Sequence, residues 1–179
     1  HPSSDDTPYP SATLWDDGDI GNLAAMADAV HAHGALAGVE LWHGGSYVAN
    51  LMSRLPTLGV RSMPTRNDPI QSQPMDRADI RALREWHRAA ALRARDAGFD
   101  IVYVYPSHGY LIAEFLSRAW NARTDDYGGS LANRARLLRE LTEDTGQAVG
   151  DRSAVAVRIA ATGPPDEPAS AAAQPDVIA

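Results

Sequence analysis

Phe99-Asp-Ile-Val-Tyr-Val-Tyr105-Pro-Ser-His108-Gly-Tyr110-Leu111 decides how this chain is read. Gly98 stops a helix-like segment just upstream, an apolar run of strand length follows, and that run ends in Tyr105, His108 and Tyr110. Helix, glycine, buried parallel-type strand and a burst of polar rings is how a βα-barrel enzyme delivers catalytic groups, because its chemistry sits where the strands end. Two phenols and an imidazole within six residues can hold, donate or accept protons at one small spot. On spacing alone, a plain strand end at Tyr105 and a helix cap at His108 are slightly the simpler readings.

Working outward, the same unit recurs. Trp15-Asp-Asp-Gly-Asp19 offers acidic caps to a helix whose Ile20, Leu23, Ala24, Ala27 and Val30 recur at helical spacing, with Gly34 as its stop. Ala35 to Trp42 is a mostly apolar run ending in His43-Gly-Gly45, which predicts a buried strand. Residues 46–75 lack sustained periodicity and predict a long surface excursion. Asp76 caps the next helix, with Ile80, Leu83, Ala90, Ala94 and Ala97 as its packed stripe. Downstream, Leu111–Leu116 predicts a short helix, Asn121–Gly129 a loop, and Ser130 the cap of a helix running to about residue 148. Ala154–Ile159 predicts a third strand, and residues 163–179, rich in Pro and Ala, a disordered or truncated tail. Three strands separated by helices imply an α/β fold with a parallel sheet and right-handed crossovers. No Gly-x-Gly-x-x-Gly or Walker loop appears, which counts against nucleotide-binding sheets and leaves a barrel segment.

Composition narrows the partners. The chain has 179 residues, enough for one domain with a real core, and its formal net charge of -7 gives no electrostatic footprint for nucleic acid. No apolar run approaches the ~20 residues of a membrane span, so a cytoplasmic protein without a membrane partner is expected. Cysteine is absent, excluding thiolate metal sites within these residues. The start at His1, inside what reads as a loop, suggests a piece of something longer. His31, His33 and His43 do not make a metal site, since no carboxylate is suitably spaced. Trp42 and Trp86 read as packing residues, although Trp42 at a strand end can line a bowl for a cation. Glu40 ends an otherwise apolar strand, where an unpaired charge is costly, and a helix arginine is one structural partner for it. Arg158, flanked by Val157 and Ile159, calls for a buried anionic partner, with Glu40 the alternative choice.

Three stretches carry a resemblance. Ala97 to Leu111 resembles the fourth strand and active-site loop of the Old Yellow Enzyme superfamily. Phe115-Leu-Ser-Arg-Ala-Trp-Asn-Ala-Arg-Thr-Asp-Asp-Tyr-Gly-Gly-Ser-Leu-Ala-Asn-Arg-Ala-Arg136 resembles the long motif that follows that loop, and Gly38-Val-Glu-Leu-Trp-His-Gly-Gly45 is similar to the third-strand motif. Together they span about residues 11–160. Glu40 stands where ene-reductases usually have Gln, and Tyr105 where they usually have His, which brings the chain nearer to trimethylamine, dimethylamine and histamine dehydrogenases. Arg118 and Ala132 depart from the motif where proline and glutamate are usual.

The resemblance implies part of a TIM (β/α)8 barrel that binds FMN at its C-terminal mouth, with residues 1–162 supplying strands three to five. It implies catalytic roles for Tyr105, His108 and Tyr110, substrate contacts from Tyr105, His108 and Trp42, and flavin contacts from Glu40 (pyrimidine ring) and Arg158 (near N1 and O2). The flavin-bonding cysteine, the aspartate completing the Tyr/His triad, the 4Fe-4S cysteines and the phosphate-binding strands of that family fall outside these residues. The expected parent is an FMN-dependent, homo-oligomeric oxidoreductase that cleaves a C–N bond of a small amine. Its electrons would pass from flavin to a 4Fe-4S cluster and on to an acceptor protein. An NAD(P)H-dependent ene-reductase or 2,4-dienoyl-CoA reductase acting on an enone is the alternative enzyme, and a catalytically silent fragment the alternative of another class. The isolated chain is expected to be inactive.

Overall fold

The computed structural model describes residues 1–5, 12–65 and 68–160; the tail expected at 163–179 lies outside them. A short 3-10 turn, Asp17–Asp19, opens on a capping box in which the Asp16 and Asp19 side chains each take the other's backbone N–H. Helix α1 (Ile20–His31) follows and leads into β1 (Gly38–Leu41). Then come β2 (Leu58–Gly59) and β3 (Gln73–Pro74), helix α2 (Arg77–Asp96) with a second capping box at Asp76 and Asp79, and β4 (Ile101–Val104). Helices α3 (Leu111–Leu116), α4 (Leu131–Arg134) and α5 (Arg136–Val149) precede β5 (Ala154–Val157).

The main sheet has the order β1-β4-β5 and is parallel throughout, with Gly38 opposite Ile101 and Ile101 opposite Ala154. This is the repeated βα unit the sequence predicts. Each strand is shorter than its apolar run, with ladder pairing confined to Gly38–Leu41, Ile101–Val104 and Ala154–Val157. One face of the sheet is dry. Leu41, Val102 and Val104 meet Leu23, Ala27, Ala91, Phe115, Leu137 and Leu141 from the helices in two apolar clusters. Ala91 and Ala94, both fully buried, let α2 lie close to the strands. Between α2 and α5, the Arg84 guanidinium grips Asp144 with two bonds of 2.7 and 2.9 Å, while Tyr127 donates to Glu140 at 2.9 Å. No helix among the described residues is long and apolar enough to cross a membrane.

Two expectations need correction. The segment 46–75 is a surface excursion only in part: among its described residues Val48, Asn50, Leu58, Val60, Ser72 and Met75 are buried, while Leu51, Met52 and Leu55 stay exposed. Its anchors are single polar side chains, which leave no periodic signal. Asn50 accepts from Asp5 N–H at 2.9 Å and donates to Ser3 O at 2.9 Å, and Ser72 Oγ lies 2.9 Å from Arg61 O. Second, the helix capped by Ser130 is broken at Ala135. There the buried Arg134 guanidinium donates to Leu116 O at 2.9 Å and Gly129 O at 2.6 Å, anchoring the first turn to α3.

The loop before α4 is a close crossing of backbones. A Cβ on Gly128 would stand 2.0 Å from the Arg123 carbonyl oxygen, and main chain cannot step aside as a side chain can. Gly128→Ala is therefore expected to destabilise the protein by about 3 kcal/mol, the upper end of ordinary overpacking. Urea unfolding measures it; an unchanged midpoint would contradict this loop geometry.

Candidate active site

Side chains alternate across a strand, so residues paired in this sheet share a face. Val39, Leu41, Val102 and Val104 pack towards the helices. Gly38, Glu40, Ile101, Tyr103, Ala154 and Ala156 therefore line the other face, and the same alternation carries it to Trp42, Tyr105 and Arg158 at the strand ends. The polar tips gather there because each strand ends at the same level.

Tyr105 is buried, and its hydroxyl lies 2.6 Å from His108 Nδ1. With the phenol donating, Nδ1 is the acceptor and a neutral imidazole keeps its proton on Nε2. His108 takes a left-handed backbone at φ 57°, followed by Gly109 at 75°, and Tyr110 N–H closes the turn on Ser107 O at 3.1 Å. A left-handed non-glycine residue is a local cost that surrounding contacts must hold in place. Arg158 Nη1 donates to Glu40 Oε1 at 2.7 Å, and its guanidinium sits 5.4 Å from the centre of the Tyr105 ring. That bond raises the pKa of Arg158 further. Burial, then the charge of Glu40, raises the Tyr105 phenol, with Arg158 opposing, so the phenol keeps its proton through the neutral range.

Tyr110 completes the cluster. Its ring stacks on Trp42 at 4.7 Å, meets Tyr47 edge-on at 5.0 Å and lies 6.1 Å from Tyr105. The structure thus brings Glu40, Trp42, Tyr105, His108, Tyr110 and Arg158 to one end of the sheet. One expectation about Arg158 is wrong: it lies just past β5, and its side chain is 55% exposed against 37% for Glu40. The Arg158 backbone N–H still bonds to Val104 O at 3.2 Å, and from that strand end the side chain reaches across β4 to β1's carboxylate at a half-open surface rather than to a buried anion. Glu40 correspondingly has no helix arginine as partner in that contact.

His31 does find a carboxylate, Asp100 at 2.7 Å, which sequence spacing hides because the two lie far apart in the chain. That is a two-residue pair, and no group of three or more potential metal ligands occurs among the described residues. His43 is buried: Gly45 N–H donates to its Nδ1 at 3.2 Å, Ser3 Oγ lies 3.0 Å from Nε2, and burial lowers its pKa to about 3, leaving it neutral. A cavity of about 540 Å3 lies beside β1, walled by Leu23, Leu83, Trp86 and Leu141 and reaching Glu40 and Trp42, but not Tyr105, His108 or Tyr110. Residues the sequence did not single out also serve the cluster. Ser107 Oγ donates to Arg158 O at 3.0 Å, stitching the loop after β4 to the end of β5. Tyr47 backs Tyr110. Buried Glu114 stands behind both; an acid inside Leu-Ile-Ala-Glu-Phe-Leu was the available signal.

The chemistry of the donors suits a flavin ring. A guanidinium can face the electron-rich N1/O2 edge, a carboxylate can accept from a ring N–H, and the adjoining inner face carries only Gly38, Ala154 and Ala156 beside Ile101 and Tyr103.

Parallel βα units with proton-handling rings and a charge pair at the C-terminal ends of their strands are arranged as in a segment of a βα-barrel active site. The chain belongs to the NADH:flavin oxidoreductase / NADH oxidase family, whose model matches residues 2–174. It is similar to dimethylamine dehydrogenase of Hyphomicrobium sp. (strain x), at 41% identity over 167 residues covering 89% of this chain and 23% of that protein. Its fold matches histamine dehydrogenase of Rhizobium sp. 4-9 with a TM-score of 0.88 and 43% identity, over 90% of this chain and 24% of that one. An old yellow enzyme homologue from Zymomonas mobilis matches with a TM-score of 0.80 and 30% identity, over 88% and 46%. The chain spans less than half the length of each. The fold is accordingly part of a TIM barrel.

Proposed function

We propose that residues 1–162 are strands three to five of a longer FMN-dependent enzyme that oxidises a C–N bond of a small amine. The observation that carries this reading is the Tyr105–His108 pair, 2.6 Å apart, on the same face as the Glu40–Arg158 pair. Likeness to two amine dehydrogenases supports the substrate class. Bound FMN supplies the two-electron acceptor. Arg158 then offsets negative charge on the ring's pyrimidine edge, and Glu40 accepts from its N–H. Tyr105 and His108 hold the amine nitrogen and manage its proton, so that the lone pair is free while the α C–H bond breaks. Trp42 and Tyr110 present aromatic faces that suit an amine's cationic form before deprotonation. The two electrons of the α C–H bond would pass to an FMN facing Arg158 and Glu40, and addition of water to the resulting imine would release an aldehyde and the shorter amine. A 4Fe-4S cluster and an acceptor protein, as onward carriers, would be held by residues outside these 179.

The test is anaerobic mixing of the full-length flavoprotein with dimethylamine, histamine or NADPH. Bleaching of the flavin by an amine and not by NADPH is expected. Reduction by NADPH, with reoxidation by an enone, would replace this reading with an ene-reductase.

A further inference from the structure

Behind the ring cluster, one carboxylate holds three chain segments together. Glu114, fully buried on α3, accepts from Ser46 N–H at 2.6 Å, from Ser46 Oγ at 2.5 Å and, through its other oxygen, from Val60 N–H at 2.9 Å. Glycine makes the room: a Cβ on Gly45 would stand 2.5 Å from Oε1, and one on Gly59 would stand 3.2 Å from Oε2. Burial pushes this acid up to about 7 even against those three donors. Nothing in the proposed chemistry touches it. Yet α3 begins one residue after Tyr110, and Glu114 N–H bonds to Tyr110 O at 2.9 Å. The turn that Glu114 grips, Gly45–Tyr47, carries the ring that meets Tyr110 edge-on, and Leu111 N–H bonds to His43 O at 3.0 Å, beside Trp42.

We propose that Glu114 is a positioning residue for Tyr110: by clamping Ser46 and Val60 onto α3 it sets where the Tyr110 ring stands between Trp42 and Tyr47. This rests on the amine-oxidising reading only where it concerns rate. Above about pH 7 Glu114 is ionised, and a carboxylate is the one side chain of this size that accepts on every side. An amide in its place must point N–H groups at Ser46 or at Val60 N–H, and two donors facing each other push apart. The turn then recedes from α3, and Tyr110 loses its backing. A misplacement of about 1 Å at a reacting group can cost on the order of a hundredfold in rate.

The experiment is a cycle of Glu114→Gln and Tyr110→Phe in the full-length flavoprotein, read by crystallography and by stopped-flow flavin reduction with an amine. In Glu114→Gln the Tyr110 ring is expected to move by about 1 Å relative to Trp42. The limiting reduction rate should fall roughly tenfold or more, with the amine's dissociation constant changed less than about twofold. In the Tyr110→Phe background the same substitution should cost less than about twofold, since the hydroxyl whose place Glu114 sets is gone. Rings unmoved from 4.7 Å, or equal losses in both backgrounds, would overturn the proposal. If Tyr110→Phe itself leaves the rate intact, the catalytic assignment of Tyr110 falls, and the ring displacement alone decides the role of Glu114. Should Glu114→Gln not fold, Ser46→Ala, which removes one donor, must shift the same ring in the same direction; failure to do so also overturns the proposal.

Discussion

Replacing Tyr105 by Phe in the full-length flavoprotein is expected to lower the rate of amine-dependent flavin reduction by about a hundredfold, within the usual range for a positioned acid or base. The ring stays, so packing is kept and only the hydroxyl that lies 2.6 Å from His108 is lost. His108→Gln should cost a similar factor, and the double variant little more, because the two groups act as one unit. Burial and Glu40 hold the Tyr105 phenol above its ordinary pKa. The variant should therefore keep the shape of the pH profile in the neutral range and lose height only. Stopped-flow absorbance across pH measures both. Unchanged limiting rates with full flavin content would remove Tyr105 and His108 from the mechanism.

Arg158→Ala should make the bound flavin harder to reduce. A charged hydrogen bond contributes about 1.5–3 kcal/mol, so the two-electron potential should fall by roughly 30–60 mV. Arg158→Lys restores the charge without the planar fork and should recover part of the shift. The measurement is a redox titration with a reference dye. An unmoved potential in the alanine variant would mean that the guanidinium serves Glu40, 2.7 Å away, and not the ring.

Much of this architecture is legible in the amino-acid order because its signals are periodic or local. Asp76 and Asp79 announce α2 by side-chain chemistry alone, and α3 occupies Leu111–Leu116 as its apolar run predicts. The gathering of Glu40, Tyr105 and Arg158 follows from strand alternation plus a common end to the strands. What stays hidden depends on contacts between residues distant in sequence. Asn50 and Glu114 hold residues 46–75 with single polar contacts that leave no repeat. The Arg134 anchor that accompanies the break at Ala135 is a carbonyl contact with no counterpart in composition. Arg158 reads as buried only if β5 is assumed to run through it, and strand ends are where reading by pattern is weakest.

His108 and Gly109, consecutive residues of left-handed backbone, cannot belong to a right-handed helix, and α3 starts only at Leu111, after the ring cluster. The rim can therefore change its chemistry by exchanging one side chain for another at a fixed bearing. Lengthening or shortening the chain between Tyr105 and Leu111 would instead rotate every ring away from its neighbours at once. Variation in what such a mouth accepts should accordingly come through point replacements here, and through changes of length only in loops farther from this turn.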